Sequence, residues 1–241
     1  MKYLHIHALF FPVLWLGLYL DSTLISEQWI TNILVFVTFL WIYTQVSKQI
    51  QQLMLYGLIV ALGGEVLFSL IFGMYTYRLE NLPIYVAFGH AIIYACVYYF
   101  VKEPIILKHQ KAIIKFLYVA IILYSTAWLI LANDVFGFLC LLVILWIFKR
   151  RPKTKLFFLF MFFAIVYLEL VGTYYECWYW PEIWFDKVSF VPSANPPSAI
   201  SVFYFGFDAG CLWFYKKFNP QKWQRFKKIR ALKTSTQETN P

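Results

Sequence analysis

KRRPKTKLFFLFMFFAIVYLELVGTYYECWYW, residues 149–180, opens on a basic cluster, continues through Leu156–Tyr175 with Glu169 as its only charged residue, and ends on the rings of Trp178, Tyr179 and Trp180. A helix needs about 20 mostly apolar residues to cross the hydrocarbon core of a bilayer, and Leu156–Tyr175 supplies them. An apolar run of this length has to be helical there, because hydrocarbon offers no partner to an unpaired backbone N–H or C=O. The alternation of a lipid-facing barrel strand is missing as well. The stretch reads as a spanning helix with a basic end, an aromatic end and one acid inside.

The remainder of the chain follows the same pattern. Of its 241 residues, 61% are hydrophobic, 22% aromatic and 14% charged, against about 45–50% apolar and about 25% charged in an ordinary soluble domain. A soluble fold of this length could not enclose so much apolar surface and still present a polar exterior. Glycine and proline number only 10 each and the four cysteines are scattered, which excludes collagen-like, disordered and disulfide-stapled classes. Cutting the sequence where charge interrupts it leaves eight apolar segments: Leu4–Leu20, Trp29–Ser47, Leu53–Tyr75, Pro83–Val101, Ile113–Ala132, Val135–Phe148, Leu156–Tyr175 and Ser198–Tyr215. The expected fold is an all-α polytopic bundle of about eight spans over residues 1–220, followed by a basic tail at 221–241. The first segment is expected to be retained, since Leu18-Tyr19-Leu20 lacks the small residues of a signal-peptide cleavage site.

Charge sets the expected orientation. With the N-terminus inside, every basic residue of the 21 except Arg78 and Lys187 falls on the inner side, whereas Asp21, Glu27, Glu80, Asp134, Glu176, Glu182 and Asp186 fall on the outer side. Basic residues collect in short cytoplasmic loops, so both termini are expected to be cytoplasmic, in a multi-pass protein of the inner or plasma membrane. The same sidedness accounts for the net charge of +9 without a nucleic-acid partner. The segment Lys216–Lys233, with Phe218, Trp223 and Phe226 among its basic residues, suits anionic headgroups, making membrane lipids the expected partners. Oligomeric state is not encoded.

Neither a zinc-type Cys/His spacing nor a phosphate-cradling glycine loop occurs, and no metal or cofactor is expected. What topology leaves over is a small intramembrane polar set. Ionisable side chains inside a bilayer cost about 2.5–3.5 kcal/mol on insertion scales and mark functional sites. Glu65 and Glu169 lie 12 and 13 residues into their segments, and His90 and Asp208 lie seven and ten residues into theirs. These four are the expected catalytic residues.

The set repeats. Glu65 and Glu169 are 104 residues apart, and each is followed by a hydroxyl residue (Ser69, Thr173), a small residue (Gly73, Cys177) and an aromatic run. The next apolar segment of each half starts after proline and carries His90 or Asp208. A parallel duplication of two four-helix halves, 1–105 and 106–220, accounts for this. Tyr75, Tyr77, Trp178 and Trp180 are the expected substrate-lining rings. The stretch Val191–Pro197 cannot be ordinary helix, because its prolines lack backbone donors and restrict their predecessors. It is expected to fold over or dip into the outer mouth of the bundle, and Asn195 is an expected substrate-binding residue.

The residues Glu65…Phe72-Gly73-Met74-Tyr75-Thr76-Tyr77…Pro83 resemble the Glu…Phe-Gly-x-Tyr-x-Tyr…Pro pattern of the carotenoid-biosynthesis membrane hydratases, over about 20 of the 241 residues. The spacing between Glu and Phe-Gly differs from that pattern, as does His90 in the place of an aromatic. The resemblance implies action on the end of a long isoprenoid chain. Protonating or hydrating an alkene needs a carboxylic acid that keeps its proton at neutral pH, and removal from water disfavours the ionised form. Glu65 or Glu169 is then the general acid, with His90 or Asp208 as its proton partner. Two other readings fit the same residues: a small proton-coupled transporter with the four groups as a relay, and a non-catalytic membrane subunit in which they join helices.

Overall fold

In a computed structural model, which describes residues 3–23 and 28–224, the chain is mostly helical. In order come α1 (Leu4–His7), α2 (Phe10–Thr23), α3 (Trp29–Gln45), α4 (Lys48–Glu65) with a π-helical continuation at Val66–Ile71, β1 (Thr76–Tyr77), α5 (Ile84–Phe100), α6 (Pro104–Lys108), α7 (Gln110–Ala132) and α8 (Val135–Arg150). A 3-10 turn at Pro152–Thr154, α9 (Lys155–Tyr174), β2 (Trp178–Tyr179), β3 (Ile183–Trp184), β4 (Val188–Pro192) and α10 (Ser201–Phe218) complete it. Each of the eight apolar segments contains a helix. Four stretches are long and apolar enough to cross a membrane: Leu4–Thr23, Lys48–Ile71, Gln110–Ala132 and Pro152–Tyr174. Trp29–Gln45 and Ile84–Phe100 are apolar but shorter. Most of the expected basic tail, from residue 225 onward, lies outside the described residues.

The segment ends are set by local chemistry. Pro83 presets the backbone ahead of α5, and Pro104 takes the first position of α6, where a missing N–H costs nothing. Asn133 adopts the left-handed conformation that closes α7. The third expected segment stops short of Tyr75, because the chain turns at Gly73 with φ +62°, a conformation that favours glycine.

Helix α5 is the centre of the bundle and packs against α1, α3, α4 and α9. Ala87, Ala91 and Ala95 are buried along one of its faces, and side chains this small let neighbouring backbones come close. Helix α7 is peripheral: it meets α8 and α9 and leaves Phe116, Leu123, Ile130 and Leu131 exposed. Large apolar side chains such as Phe11, Ile33, Ile59 and Trp213 cover the exterior elsewhere too, as an apolar surrounding requires.

The 177–200 stretch covers the end of the bundle at which Asp21, Arg78 and Asp134 lie. Strands β3 and β4 form a small hairpin, and the Trp184 ring stacks on Phe136 of α8 with centroids 5.4 Å apart. Beyond it the chain is buried from Pro196 to Ile200. Asp134 holds this run in place. Its carboxylate caps α8 by accepting from the Gly137 N–H at 3.1 Å, and it also accepts from the N–H groups of Ala194 (3.1 Å) and Ser198 (2.7 Å). Glycine is needed at 137, since a Cβ there would lie 2.0 Å from Asp134 Oδ2 and 2.6 Å from the Ser198 nitrogen.

Asp134→Ala leaves three buried N–H groups without their acceptor, at about 1–3 kcal/mol each. The unfolding temperature of the purified protein is expected to fall by at least about 5 °C, with Asp134→Asn falling less. An unchanged unfolding temperature in Asp134→Ala contradicts this anchoring role.

Candidate functional site

Each of the two buried glutamates is held by the segment that follows it. Glu65 ends α4, and the π-helical turn, the bond from Ser69 Oγ to the Tyr75 carbonyl (3.1 Å) and the reversal at Gly73 bring β1 back over it. The hydroxyls of Tyr75 and Tyr77 donate to Glu65 Oε2 at 2.5 and 2.7 Å. On the other oxygen, His90 Nε2 from α5 lies 3.0 Å from Oε1. Burial, and next the Glu65 carboxylate, hold the Tyr77 phenol well above its usual range, so it stays an O–H donor.

Glu169 sits one turn from the end of α9. The indole N–H groups of Trp178 and Trp180 donate to its Oε2 at 2.8 and 3.1 Å. Trp178 reaches it by lying flat over Gly172, where a Cβ would come within 2.1 Å of the ring. Tyr204 of α10 lines the space beside Glu169. Strands β1 and β2 then bring the two glutamates together: they pair antiparallel, Thr76 opposite Tyr179 and Tyr77 opposite Trp178. The pairing extends to the Arg78 N–H, which donates to the Cys177 carbonyl at 3.0 Å. Tyr75 packs on Trp180 with ring centroids 4.5 Å apart.

The two carboxylates line one cavity of about 110 Å³. In that measure a water molecule needs about 10–15 Å³, so the space suits several waters or the branched end of a hydrocarbon. Aromatic rings surround the carboxylate end. The remainder is mostly apolar, formed by Phe10, Val13, Leu14 and Leu18 of α2 with Val35 and Ile92, and the hydroxyl of Thr31 there is taken up by the Gly17 carbonyl.

Of the residues singled out in the sequence, Glu65, Glu169, His90, Tyr75, Tyr77, Trp178 and Trp180 meet around this cavity. Asn195 does not. It is exposed beside the hairpin, and its Oδ1 accepts from the Trp180 N–H at 3.1 Å, so it sets the backbone that carries Trp180 rather than facing a substrate. Asp208 lies outside the cavity, one helical turn beyond Tyr204. Tyr204 is the residue sequence reasoning missed. It stacks on the His90 ring with centroids 4.5 Å apart and lines the cavity beside Glu169. The signal was available: counted from the preceding proline, His90 is the seventh residue after Pro83 and Tyr204 the seventh after Pro197.

The partners differ in chemistry. Indole N–H groups only donate, so Trp178 and Trp180 bind Glu169 as an acceptor. Phenol and imidazole can both give and take a proton, so Glu65 meets groups able to exchange one with it. Among the described residues, no group of three or more His, Cys, Asp or Glu is placed to hold a metal ion. Comparison with protein-family models, with curated proteins and with solved structures returns no match, and the geometry carries the functional argument by itself.

Behind the paired strands, Asp21 accepts from Arg78 Nη2 at 3.3 Å and from the Tyr85 hydroxyl at 3.0 Å, and Cys177 Sγ donates to the Leu18 carbonyl at 3.3 Å. Burial first, and then the Asp21 carboxylate, push the Cys177 thiol well above its usual range. The thiolate is the reactive form. A maleimide reagent at mildly alkaline pH is therefore expected to leave Cys177 unmodified until denaturant is added. Rapid labelling of the native protein contradicts this packing.

Proposed function

We propose that the chain is a membrane enzyme of eight spans with both termini cytoplasmic, which protonates or hydrates a carbon–carbon double bond near the end of a lipidic chain of isoprenoid type. The single observation that carries this reading is the pair of carboxylates at the aromatic end of an otherwise apolar cavity. A polar or charged substrate would find few partners along Phe10–Leu18, whereas a hydrocarbon tail fits there and delivers its end to Glu65 and Glu169.

The two carboxylates take different roles. Glu65 transfers its proton to one alkene carbon and His90 supports the exchange. The cation formed on the other carbon faces the rings of Tyr75, Tyr77, Trp178 and Trp180, whose π-faces attract positive charge. A water adds to that carbon and gives up its proton to Glu169, the acceptor. Tyr204, which shares the cavity with Glu169 and is stacked on His90, returns the proton towards Glu65 and closes the cycle. The resemblance of residues 65–83 to the carotenoid-biosynthesis hydratases agrees with this substrate class.

The paired sites also support a duplication of two four-helix halves. The donors follow Glu65 by ten and twelve residues and Glu169 by nine and eleven. The extra residue in the first half falls where its helix turns π, and a π-turn is what a one-residue insertion into an α-helix produces.

The test compares lipid extracts, by mass spectrometry, from cells lacking the gene and cells producing the wild type, Glu65→Gln or Glu169→Gln. Wild type is expected to change one lipid or isoprenoid species, and each variant to lose at least about 100-fold of that change, the usual range for a positioned acid or base, while remaining folded in the membrane. A lipid profile indifferent to the wild-type protein contradicts the enzyme. Loss of pH-dependent solute flux in the same variants, with no altered lipid, would indicate a carrier instead.

A further inference from the structure

A second cavity, of about 20 Å³, adjoins the first between α4, α5 and α10. His90, Ile93, Tyr204 and Phe207 line both. Asp208 is in the second cavity only, and its Oδ2 is buried without a hydrogen-bond partner among the described residues. A carboxyl whose task was to join helices would bond to a neighbour, since buried polar groups are paired as a rule.

Space is kept open here by small side chains. Gly57 and Ala61 precede Glu65 by two turns and one turn on α4 and face Asp208 across the cavity. A volume of about 20 Å³ exceeds the roughly 10–15 Å³ that one water needs without admitting a second. On α5 and α10 alike, the polar residues step down by one turn from the upper cavity to the lower, from His90 to Tyr94 and from Tyr204 to Asp208.

We infer that this cavity is a proton-loading site, in which a single water bridges Asp208 to His90 and a proton passes along that bridge to Glu65. The inference rests on the reading of Glu65 as a proton-exchanging group. In the step, the Asp208 carboxyl gives its proton to the water oxygen as the water gives one to the free ring nitrogen of His90. The ring releases its Nε2 proton to Glu65 Oε1, 3.0 Å away. One proton has moved from Asp208 to Glu65, Asp208 is left as a carboxylate, and His90 has passed from its Nε2–H to its Nδ1–H tautomer, which a ring flip or the reverse shift resets. The titratable groups facing Asp208 are His90 and Tyr94 from α5 and Tyr204 and Cys211 from α10. The α4 and α9 walls, Leu53, Gly57, Ala61 and Met161, contribute none.

Deuterium exchange of the purified protein, followed by infrared spectroscopy, tests the relay without any substrate. The carboxyl bands of positions 65 and 208 are identified by their loss in Glu65→Gln and Asp208→Asn. In Asp208→Asn the Glu65 proton is expected to exchange with D₂O at least about tenfold more slowly, a modest share of what positioned proton donors contribute, and Asp208→Glu is expected to restore most of the rate. Gly57→Ala keeps Asp208 and takes up part of the water's space, its methyl meeting Cys211 Sγ at an ordinary 3.6 Å. It is expected to slow the same exchange. Exchange at the wild-type rate in both Asp208→Asn and Gly57→Ala overturns the relay, as does the absence of a protonated carboxyl at 208 in the wild type. Slowed exchange in a protein that alters no lipid would leave the relay standing and remove the enzyme.

Discussion

A carboxylate taken out of water has to be met by donors, and in this chain each buried glutamate draws those donors from the residues just beyond its own helix. Tyr75 and Tyr77 turn back onto Glu65; Trp178 and Trp180 turn back onto Glu169. To do so, both segments have to leave their helices and reverse, and the two reversals meet as β1 and β2. The paired strands follow from that need. Without the two acids, a bundle this apolar would have no reason to fold extended backbone across its end.

The two halves meet the same need with different chemistry. Phenols and an imidazole surround Glu65, whereas the two indoles bonded to Glu169 can only donate and the Tyr204 phenol lines the cavity beside it. In the proposed function one carboxyl exchanges a proton and the other accepts one at a single cavity, a division of labour that comes from partners rather than from the acids themselves. Tyr204 and His90, stacked on each other, connect the two.

Much of this was legible in the sequence, and the part that was not has physical causes. Charge interrupts the apolar runs sharply, so the eight helical segments could be read directly. Glu65 and Glu169 stood out because an ionisable side chain inside an apolar run is costly to bury, whether it joins helices or serves a reaction. Their ends were harder: apolarity continues through Phe72 to Tyr75, and only the left-handed turn at Gly73 stops the helix. Asn195 looked like a ligand-binding amide because its proline-rich surroundings excluded helix, yet its carbonyl oxygen serves the Trp180 backbone. Tyr204 was hidden by company. In a chain with 18 tyrosines and 25 phenylalanines, one more ring on an apolar helix reads as packing. Aligning the halves on charge matched His90 with Asp208, whereas counting from proline pairs it with Tyr204.

The juxtaposition of the two acids depends on the register of β1 against β2, and that register can be measured. Thr76 and Tyr179 are direct partners, and both are exposed. Opposed residues of an antiparallel pair lie about 4.5–5.5 Å apart at Cα, within reach of a disulfide. The four native cysteines are buried and unpaired. Thr76→Cys combined with Tyr179→Cys should close an intramolecular disulfide under mild oxidation, in protein that remains folded. Two reactive thiols that fail to join would place Glu65 and Glu169 in separate sites and contradict the account.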